Sequence, residues 1–135
     1  MTEEKNSLEK SLSLFELNKV DRDIYSWNGK NVGWGRVFGG QVMAQTLIAA
    51  YKTIDAEHYA HSFHSYFLRP GDMDKPIIFT VDRIRNGKSF TTRNVKALQD
   101  GEAIFSCSIS FQKDEDGLEH EISIPDVPAP EELKD

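Results

Sequence analysis

The sequence predicts an α+β fold in which an antiparallel sheet wraps around one central α-helix. Residues 40–53 carry apolar side chains at helical spacing, and four later stretches alternate as strands do. The dipeptides Asn86-Gly87 and Asp100-Gly101 separate the last three of these stretches, which predicts hairpins between neighbouring strands. A helix followed by a meander of antiparallel strands is an α+β layout.

Three elements are expected before the central helix. Residues 7–16 should form a short helix, because apolar residues recur there at helical spacing: Leu8, Leu12 and Phe15. Residues 23–29 resemble a strand that ends in an Asn-Gly turn, and residues 31–38 form a glycine-rich loop.

The central helix is expected to be largely surrounded by protein. Its main apolar stripe consists of Met43, Leu47, Ala50 and Tyr51, and Ala44 and Ile48 lie beside that stripe. Apolar residues almost all round a helix indicate that little of it faces water.

The four predicted strands cover residues 59–69, 76–85, 89–98 and 103–111. In the second, Ile77, Phe79 and Val81 should share one face. The last strand alternates most regularly, with Ala103, Phe105, Cys107, Ile109 and Phe111 on one face and Ser106, Ser108 and Ser110 on the other. Such alternation predicts an antiparallel sheet with one covered face. Asn86-Gly87 is typical of a type I′ turn.

The chain divides into three parts. Residues 1–18 form an N-terminal helical segment, and residues 19–115 hold the helix and sheet. Residues 116–135 include a Pro-rich acidic stretch, which is typical of a stiff linker or tail. A length of 135 residues suits a single domain with a real core.

Composition and charge restrict the function. The net charge of −6 argues against general nucleic-acid binding. No apolar run reaches the length of a membrane span, and the charged N-terminus lacks a signal-peptide core. The single cysteine, Cys107, forms no internal disulfide, so a cytoplasmic location is expected. A basic stretch is either solvated charge on strands or an anionic-ligand site: Arg69, Arg83, Arg85, Lys88 and Arg93.

Several kinds of chemistry are excluded by spacing. On one strand, His61 points away from His58 and His64, and those two lie about 20 Å apart, so no metal site is expected. Residues 35–42 have the glycine spacing of a phosphate-binding loop but lack its lysine and hydroxyl. Cys107 occupies the apolar face of its strand, which favours a buried thiol over a nucleophile.

One kind of chemistry remains after these exclusions, which is polarisation of a substrate carbonyl. The backbone N–H groups of Gly39, Gly40 and Gln41 could hold an oxyanion at the helix start, or the glycines could serve close packing alone. His61 could act as a base, or it could be a buried, hydrogen-bonded histidine. On a regular strand it shares a face with Tyr59, Phe63 and Phe67.

Several long motifs resemble the acyl-CoA thioesterase II (TesB-type) family. They are residues 36–45, residues 61–72, residues 85–90 with Arg93, and residues 110–112. The resemblance runs from about Leu14 to the Pro-rich tail. It implies the hot-dog fold, hydrolysis of acyl-CoA to fatty acid and CoA, and two hot-dog repeats in one protein. This chain resembles the first repeat, and its tail resembles the start of the linker to the second.

The resemblance also implies where the site lies. The family's main catalytic Asp, Thr or Ser, and Gln belong to the second repeat, so no position here inherits those roles. His61 and Gln41 are expected as minor catalytic candidates. Residues expected to bind the acyl-CoA are Phe38, Gly39, Gly40, Met43, Phe63 and Tyr66, although ordinary core packing is the favoured explanation for the four with side chains. No cofactor and no metal is expected.

The expected partners are the acyl-CoA substrate and a second hot-dog unit. That unit is either a downstream repeat or an identical chain in a homodimer or higher oligomer, since an unpaired sheet edge is a liability. The chain alone should be inactive or weakly active. Two alternatives stay open: a self-paired single-hot-dog thioesterase, and a non-catalytic acyl-CoA binding or assembly module.

Overall fold

The fold places one helix across one sheet. A computed structural model describes residues 8–9 and 11–133. Within them the regular elements are β1 (Asn18–Asp21), β2 (Ile24–Trp27), α1 (Gly39–Tyr51), β3 (His58–Phe67), β4 (Ile77–Asn86), β5 (Phe90–Gln99) and β6 (Glu102–Lys113), and a 3₁₀ turn follows at Pro130–Glu132. The α+β prediction is confirmed, with boundaries within two residues for most elements.

The six strands form one antiparallel sheet in the order β1-β2-β4-β5-β6-β3. Strand β3 follows the helix in the chain but pairs only with β6, so it forms an edge of the sheet. Helix α1 packs across β4, β5 and β6. The helix therefore lies over the middle of the sheet, beside the edge strand and not on top of it.

The face of the sheet under α1 forms the core. The predicted alternation of β6 is confirmed, because Phe105, Ile109 and Phe111 are completely buried and their serine neighbours are not. Ile77, Phe79 and Val81 of β4 are buried together, also as expected. Burial of this apolar area is the main force that holds the helix on the sheet.

Helix α1 presents the opposite face from the one its apolar stripe suggests. Its buried residues are Gln41, Val42, Gln45, Thr46, Ala49 and Ala50. Of the expected stripe, Ala50 is buried but Met43 and Tyr51 are more than one third exposed, so that stripe is not the face of the helix that packs on the core. Polar side chains are buried here because each has a hydrogen-bond partner, for example the Thr46 hydroxyl, which donates to the Val42 carbonyl over 2.6 Å.

Two turns differ in how well the sequence predicts them. Asp100 and Gly101 have φ angles of 51° and 79°, so the hairpin predicted there is confirmed. The type I′ turn predicted at Asn86-Gly87 is wrong, since neither residue has a positive φ. The Asn86 side chain instead accepts a hydrogen bond from Arg93, and a register shift interrupts β4 just before it.

Strand β1 was not predicted. It forms a short hairpin with β2 across a turn in which Asp23 adopts a φ of 59°. An aspartate tolerates this left-handed conformation better than most residues do. The Asp23 carboxylate accepts two hydrogen bonds from Arg83, at 2.8 and 2.9 Å.

A buried arginine attaches the C-terminal end of α1 to the sheet. Arg93 of β5 is 1% exposed, and its guanidinium donates to Thr53 just beyond the helix. It also donates to the Arg85 carbonyl, the Thr92 carbonyl and the Asn86 side chain. Desolvation by burial lowers the pKa of Arg93. All of its N–H groups have acceptors, which is what a buried charge requires.

The ends of the chain lie outside this core. Residues 8–9 and 11–13 are helical, with Leu8, Leu12 and Phe15 exposed, while Ser7 and Lys10 lie outside the described residues. Residues 114–129 form an irregular, exposed tail. The first strand begins at Asn18 and the last strand ends at Lys113. The predicted domain boundaries, at residues 19 and 115, stay a prediction. Among the described residues, no helix is long and apolar enough to cross a membrane.

Candidate active site at the start of the central helix

Helix α1 begins with free backbone donors. The N–H groups of Gly39 and Gly40 have no acceptor among the described residues, while those of Gln41 and Val42 both donate to the Phe38 carbonyl. No side chain in the described part of the chain caps this end, and the first turn of the helix contains no acidic residue. A helix start with free N–H groups attracts an oxyanion or another negative group.

Gln41 lies beneath this helix start and is fully engaged. Its amide oxygen accepts the Val32 N–H over 2.9 Å, and its amide nitrogen donates to the Asn31 side chain over 2.9 Å. Asn31 in turn donates to the Met73 and Lys75 carbonyls. This network connects the glycine-rich loop to the helix. Sequence reasoning missed Asn31, although a short polar side chain in a glycine-rich loop is a signal for such a role.

A cavity of about 460 Å³ opens beside the helix start. We call it the helix-start cavity. Gly39 and Val42 line it from the helix, Phe67 and Phe105 from the sheet, and Arg36 from the loop. A side chain at position 39 would meet the Phe67 ring at 2.9 Å, so glycine keeps this passage open. Phe67 was not among the predicted site residues, because the pattern of its strand did not reveal which end adjoins the helix.

A second cavity, of about 450 Å³, continues along the same side of α1. We call it the strand-edge cavity. Met43 and Leu47 line it from the helix, and Ala60, His61, Ser62 and Phe63 from β3. Its lining is mainly apolar in residue type. The two cavities lie in the space between α1 and the edge strand β3, where a slender apolar group fits.

His61 lines the strand-edge cavity, but its imidazole is bonded on the far face of the sheet. Its Nε2 atom lies 2.8 Å from the Ser110 hydroxyl, and its ring contacts Phe90 on the far face of the sheet. The expectation that His61 shares a face with Phe63 and Phe67 is wrong, since both phenylalanines contact the buried Phe105. A β-bulge between Ala60 and Ser62 inserts one residue and reverses the alternation.

The same bulge separates the other two histidines of β3. His58 is buried beneath the sheet, and neither ring nitrogen has a hydrogen-bond partner in the described part of the chain. His64 is exposed, so the expectation that these two share a face is wrong. No group of three metal-ligating side chains lies close together among the described residues.

The remaining expected site residues are dispersed. Phe38 and Tyr66 are 61% and 75% exposed and line neither cavity. The basic stretch forms no common pocket, because Arg83 pairs with Asp23, Arg69 pairs with Glu102 and Arg93 is buried. Burial raises the pKa of the Cys107 thiol to about 11, so it is neutral at pH 7.

Comparison with known proteins identifies the family. The model for the acyl-CoA thioesterase N-terminal domain matches residues 29–112, which include the whole helix start and both cavities. The chain belongs to this family. Its members are thioester hydrolases, and the resemblance to thioesterase II proteins is confirmed.

Relatives of the family match nearly all of the chain. Acyl-coenzyme A thioesterase 8 of Mus musculus is 45% identical over 125 residues, which are 91% of this chain and 39% of that protein. Acyl-CoA thioesterase 2 of Haemophilus influenzae is 41% identical over 92% of this chain and 43% of its own length. The chain therefore spans about two fifths of the relatives that it matches.

Solved structures confirm the hot-dog fold of this family member. A crystal structure of acyl-CoA thioesterase II TesB2 from Mycobacterium marinum has a TM-score of 0.73 and 41% identity, covering 90% of this chain and 46% of that one. A hot-dog protein from Alicyclobacillus acidocaldarius has a TM-score of 0.71 at 22% identity, which shows the fold alone. In both, the matched region is about half of the longer chain.

Proposed function

We propose that this chain is the first of two hot-dog repeats of an acyl-CoA thioesterase, which hydrolyses acyl-CoA to a fatty acid and CoA. The observation that carries the proposal is the family match over the helix start and the adjoining cavities. Free N–H groups at Gly39 and Gly40 suit the thioester oxyanion. The apolar space between α1 and β3 suits the acyl chain.

The acyl chain would enter beside Gly39 and extend along α1. We name the two cavities together the acyl slot. Val42 and Phe67 line its entrance, and Met43, Leu47 and Phe63 its far part, as the sequence suggested for Met43 and Phe63. Each methylene buried there adds about 0.8 kcal/mol of hydrophobic free energy. Affinity should therefore rise with acyl chain length until the slot is full.

The group that activates water would come from the second hot-dog unit. The Gln41 amide is occupied by its bonds to Asn31 and Val32, which supports a role in positioning the helix start. The His61 imidazole is bonded to Ser110 on the far side of the sheet. Both side chains are occupied by these hydrogen bonds, which supports the expectation that this chain alone is weakly active.

Strand β3 would pair with that second unit. It is a ten-residue edge strand, and Tyr59, Tyr66 and Phe67 are exposed along it. A long, apolar edge without a partner invites association. We expect this chain to form a homodimer or higher oligomer when produced alone, and static light scattering at micromolar concentration measures this. A stable monomer would contradict the expectation.

Two measurements test the function. Non-hydrolysable thioether analogues of acyl-CoA, titrated calorimetrically, should bind more tightly as the chain lengthens from four to twelve carbons. The variant Leu47→Trp should remove the gain for long chains and leave four-carbon affinity unchanged, while Ile84→Trp, on an exposed site of β4, should change neither. Affinity that does not depend on chain length would refute the acyl slot.

Turnover separates the proposal from its alternatives. Release of free CoA from acyl-CoA substrates should be slow with this chain alone and should rise when a second repeat is supplied. Robust turnover by the chain alone would instead support a self-paired single-hot-dog enzyme. Tight binding without turnover, even with a second repeat, would support a binding module.

We also propose a cytoplasmic location. The sequence holds one cysteine, and its thiol is buried and protonated at neutral pH, which gives no sign of an oxidising compartment. Fractionation of cells that express the tagged chain tests this.

A further inference from the structure

The glycine-rich loop before α1 projects a tip that its base holds in place. The tip consists of residues 33–36. The residues that flank the tip form the base of the loop. There the Phe38 N–H donates to the Val32 carbonyl over 2.6 Å, and the Val37 N–H donates to the Gly71 carbonyl over 2.9 Å. Gln41 also accepts the Val32 N–H from below. The base of the loop is thus bonded to the helix and to the turn after β3.

The tip itself is a tight turn that only glycine permits. Gly33 and Gly35 have φ angles of 148° and 73°. A side chain on Gly33 would lie 2.0 Å from the Arg36 carbonyl oxygen. Substitution of Gly33 would open the turn, since a backbone atom cannot yield as a flexible side chain does. The loop therefore presents residue 34 in a defined position.

Residue 34 is a fully exposed tryptophan. The Trp34 side chain is 100% exposed and has no ring contact among the described residues, whereas the other tryptophan, Trp27, is 4% exposed. A large flat ring on a held loop offers both faces to a ligand. Aromatic rings of this kind bind nucleobases by stacking.

Exposed positive charges flank Trp34 in the sequence. Lys30 and Arg36 are exposed on either side of Trp34 in sequence, and neither has a carboxylate or other partner in the described part of the chain. Arg69, across the helix-start cavity, is by contrast paired with Glu102 at 3.4 Å. In a chain of net charge −6, two free cations beside an exposed ring indicate an anionic, aromatic ligand.

The loop tip also adjoins the acyl slot. Arg36 lines the helix-start cavity together with Gly39, and Gly33 lines a separate cavity of about 940 Å³ on the other side of the loop. We infer that Trp34 stacks on the adenine of CoA and that Arg36 and Lys30 bind its phosphates. This inference rests on the proposed function, because it takes the ligand to be acyl-CoA.

Fluorescence of the full chain tests this inference directly. Trp34 is fully exposed, and the Trp34→Ala variant gives the emission of Trp27 alone, which is subtracted from that of the unaltered chain. Adenosine 3′,5′-bisphosphate and CoA should quench the remaining Trp34 emission saturably, and pantetheine should not. Trp34→Ala should weaken the calorimetric affinity for adenosine 3′,5′-bisphosphate about tenfold, the scale of one stacked base. Trp34→Phe should restore most of it.

Matched controls keep the result specific. Phe90→Ala removes another exposed aromatic ring, on the far face of the sheet and away from the loop, and should leave nucleotide affinity unchanged. Arg36→Gln should weaken binding and reduce its dependence on salt. Equal nucleotide affinity of Trp34→Ala and the unaltered chain would overturn the inference, and if acyl-CoA analogues still bound in the slot the proposed function would stand. A Trp34 emission that shifted with protein concentration alone would also overturn it, since the ring would then contact another copy.

Discussion

The two ends of helix α1 are built in opposite ways. At the C-terminal end, Arg93 fills a closed space in which each of its donors has an acceptor. At the N-terminal end, Gly39 and Gly40 keep free N–H groups, two cavities adjoin the backbone, and Trp34 is fully exposed. One end attaches the helix to the sheet, and the other leaves polar groups available.

This difference locates function without reference to any catalytic motif. Buried polar groups are satisfied where they only stabilise the fold. Free backbone donors beside an apolar cavity are available to a ligand as well as to water. The closed end should therefore control stability, and the open end should control ligand binding.

The largest effect is expected at the closed end. Replacing Arg93 with methionine removes five hydrogen bonds and leaves the buried hydroxyl and carbonyl oxygens of Thr53 without this donor. Since each such acceptor costs about 1–3 kcal/mol, we expect a loss of about 3 kcal/mol or more in the free energy of unfolding. Urea denaturation measures it. The control Lys88→Ala, at an exposed site, should stay within about 0.5 kcal/mol, and a similar small change for Arg93→Met would contradict the comparison.

An intermediate effect is expected beneath the open end. Gln41→Ala removes the acceptor of the Val32 N–H and a donor to Asn31, so unfolding free energy should fall by about 2 kcal/mol. The base of the glycine-rich loop should loosen as well, which amide hydrogen exchange of residues 32–38 would report. Gln41→Glu keeps an acceptor for Val32 and should retain more of the loop protection than Gln41→Ala does. Equal protection in both variants would argue against a role of the Gln41 hydrogen bonds in holding the loop base.

The smallest effect is expected for the ion pair between Asp23 and Arg83, which is partly exposed to water. The Arg83 guanidinium, through its hydrogen bonds, holds the pKa of Asp23 below its usual value. A lowered folded-state pKa contributes stability above the unfolded pKa and loses it as pH falls below about 4. Because Arg83 is more than one third exposed, water screens the pair, and about 0.5–1 kcal/mol is expected.

Denaturation of Asp23→Asn at pH 7 and at pH 3 checks this effect. Asparagine tolerates the positive φ of position 23, so the variant removes charge with little backbone strain. The free energy of unfolding of the variant should be lower than that of the unaltered chain at pH 7, and this difference should be largely gone at pH 3. A difference that persisted at low pH would show that the ion pair is not its source.

Much of the fold could be predicted from local patterns. The alternation of β6 and the Asp100-Gly101 turn each depend on a few neighbouring residues, and each is confirmed. The helix start predicted at about Gly40 lies at Gly39 in the structure. The site was harder to predict. The β-bulge after Ala60 depends on pairing with β6, which lies some fifty residues further along the chain. It directs His61 to the far face, a placement that period-two counting misses.

The sequence by itself determined the α+β class, the order of its main elements and the family, because strand alternation, turn chemistry and long contiguous motifs are local properties of the chain. Only the tertiary structure decided which face of α1 is buried. Gln41 and Gln45 can be buried on that face because their amides hydrogen-bond to Asn31 and Leu14, which lie outside the helix. The tertiary structure also decided that β3 lies at the edge beside a gap under the helix. The position of that gap depends on the order in which the strands pair across the whole sheet, and the sequence of a single strand does not determine that order.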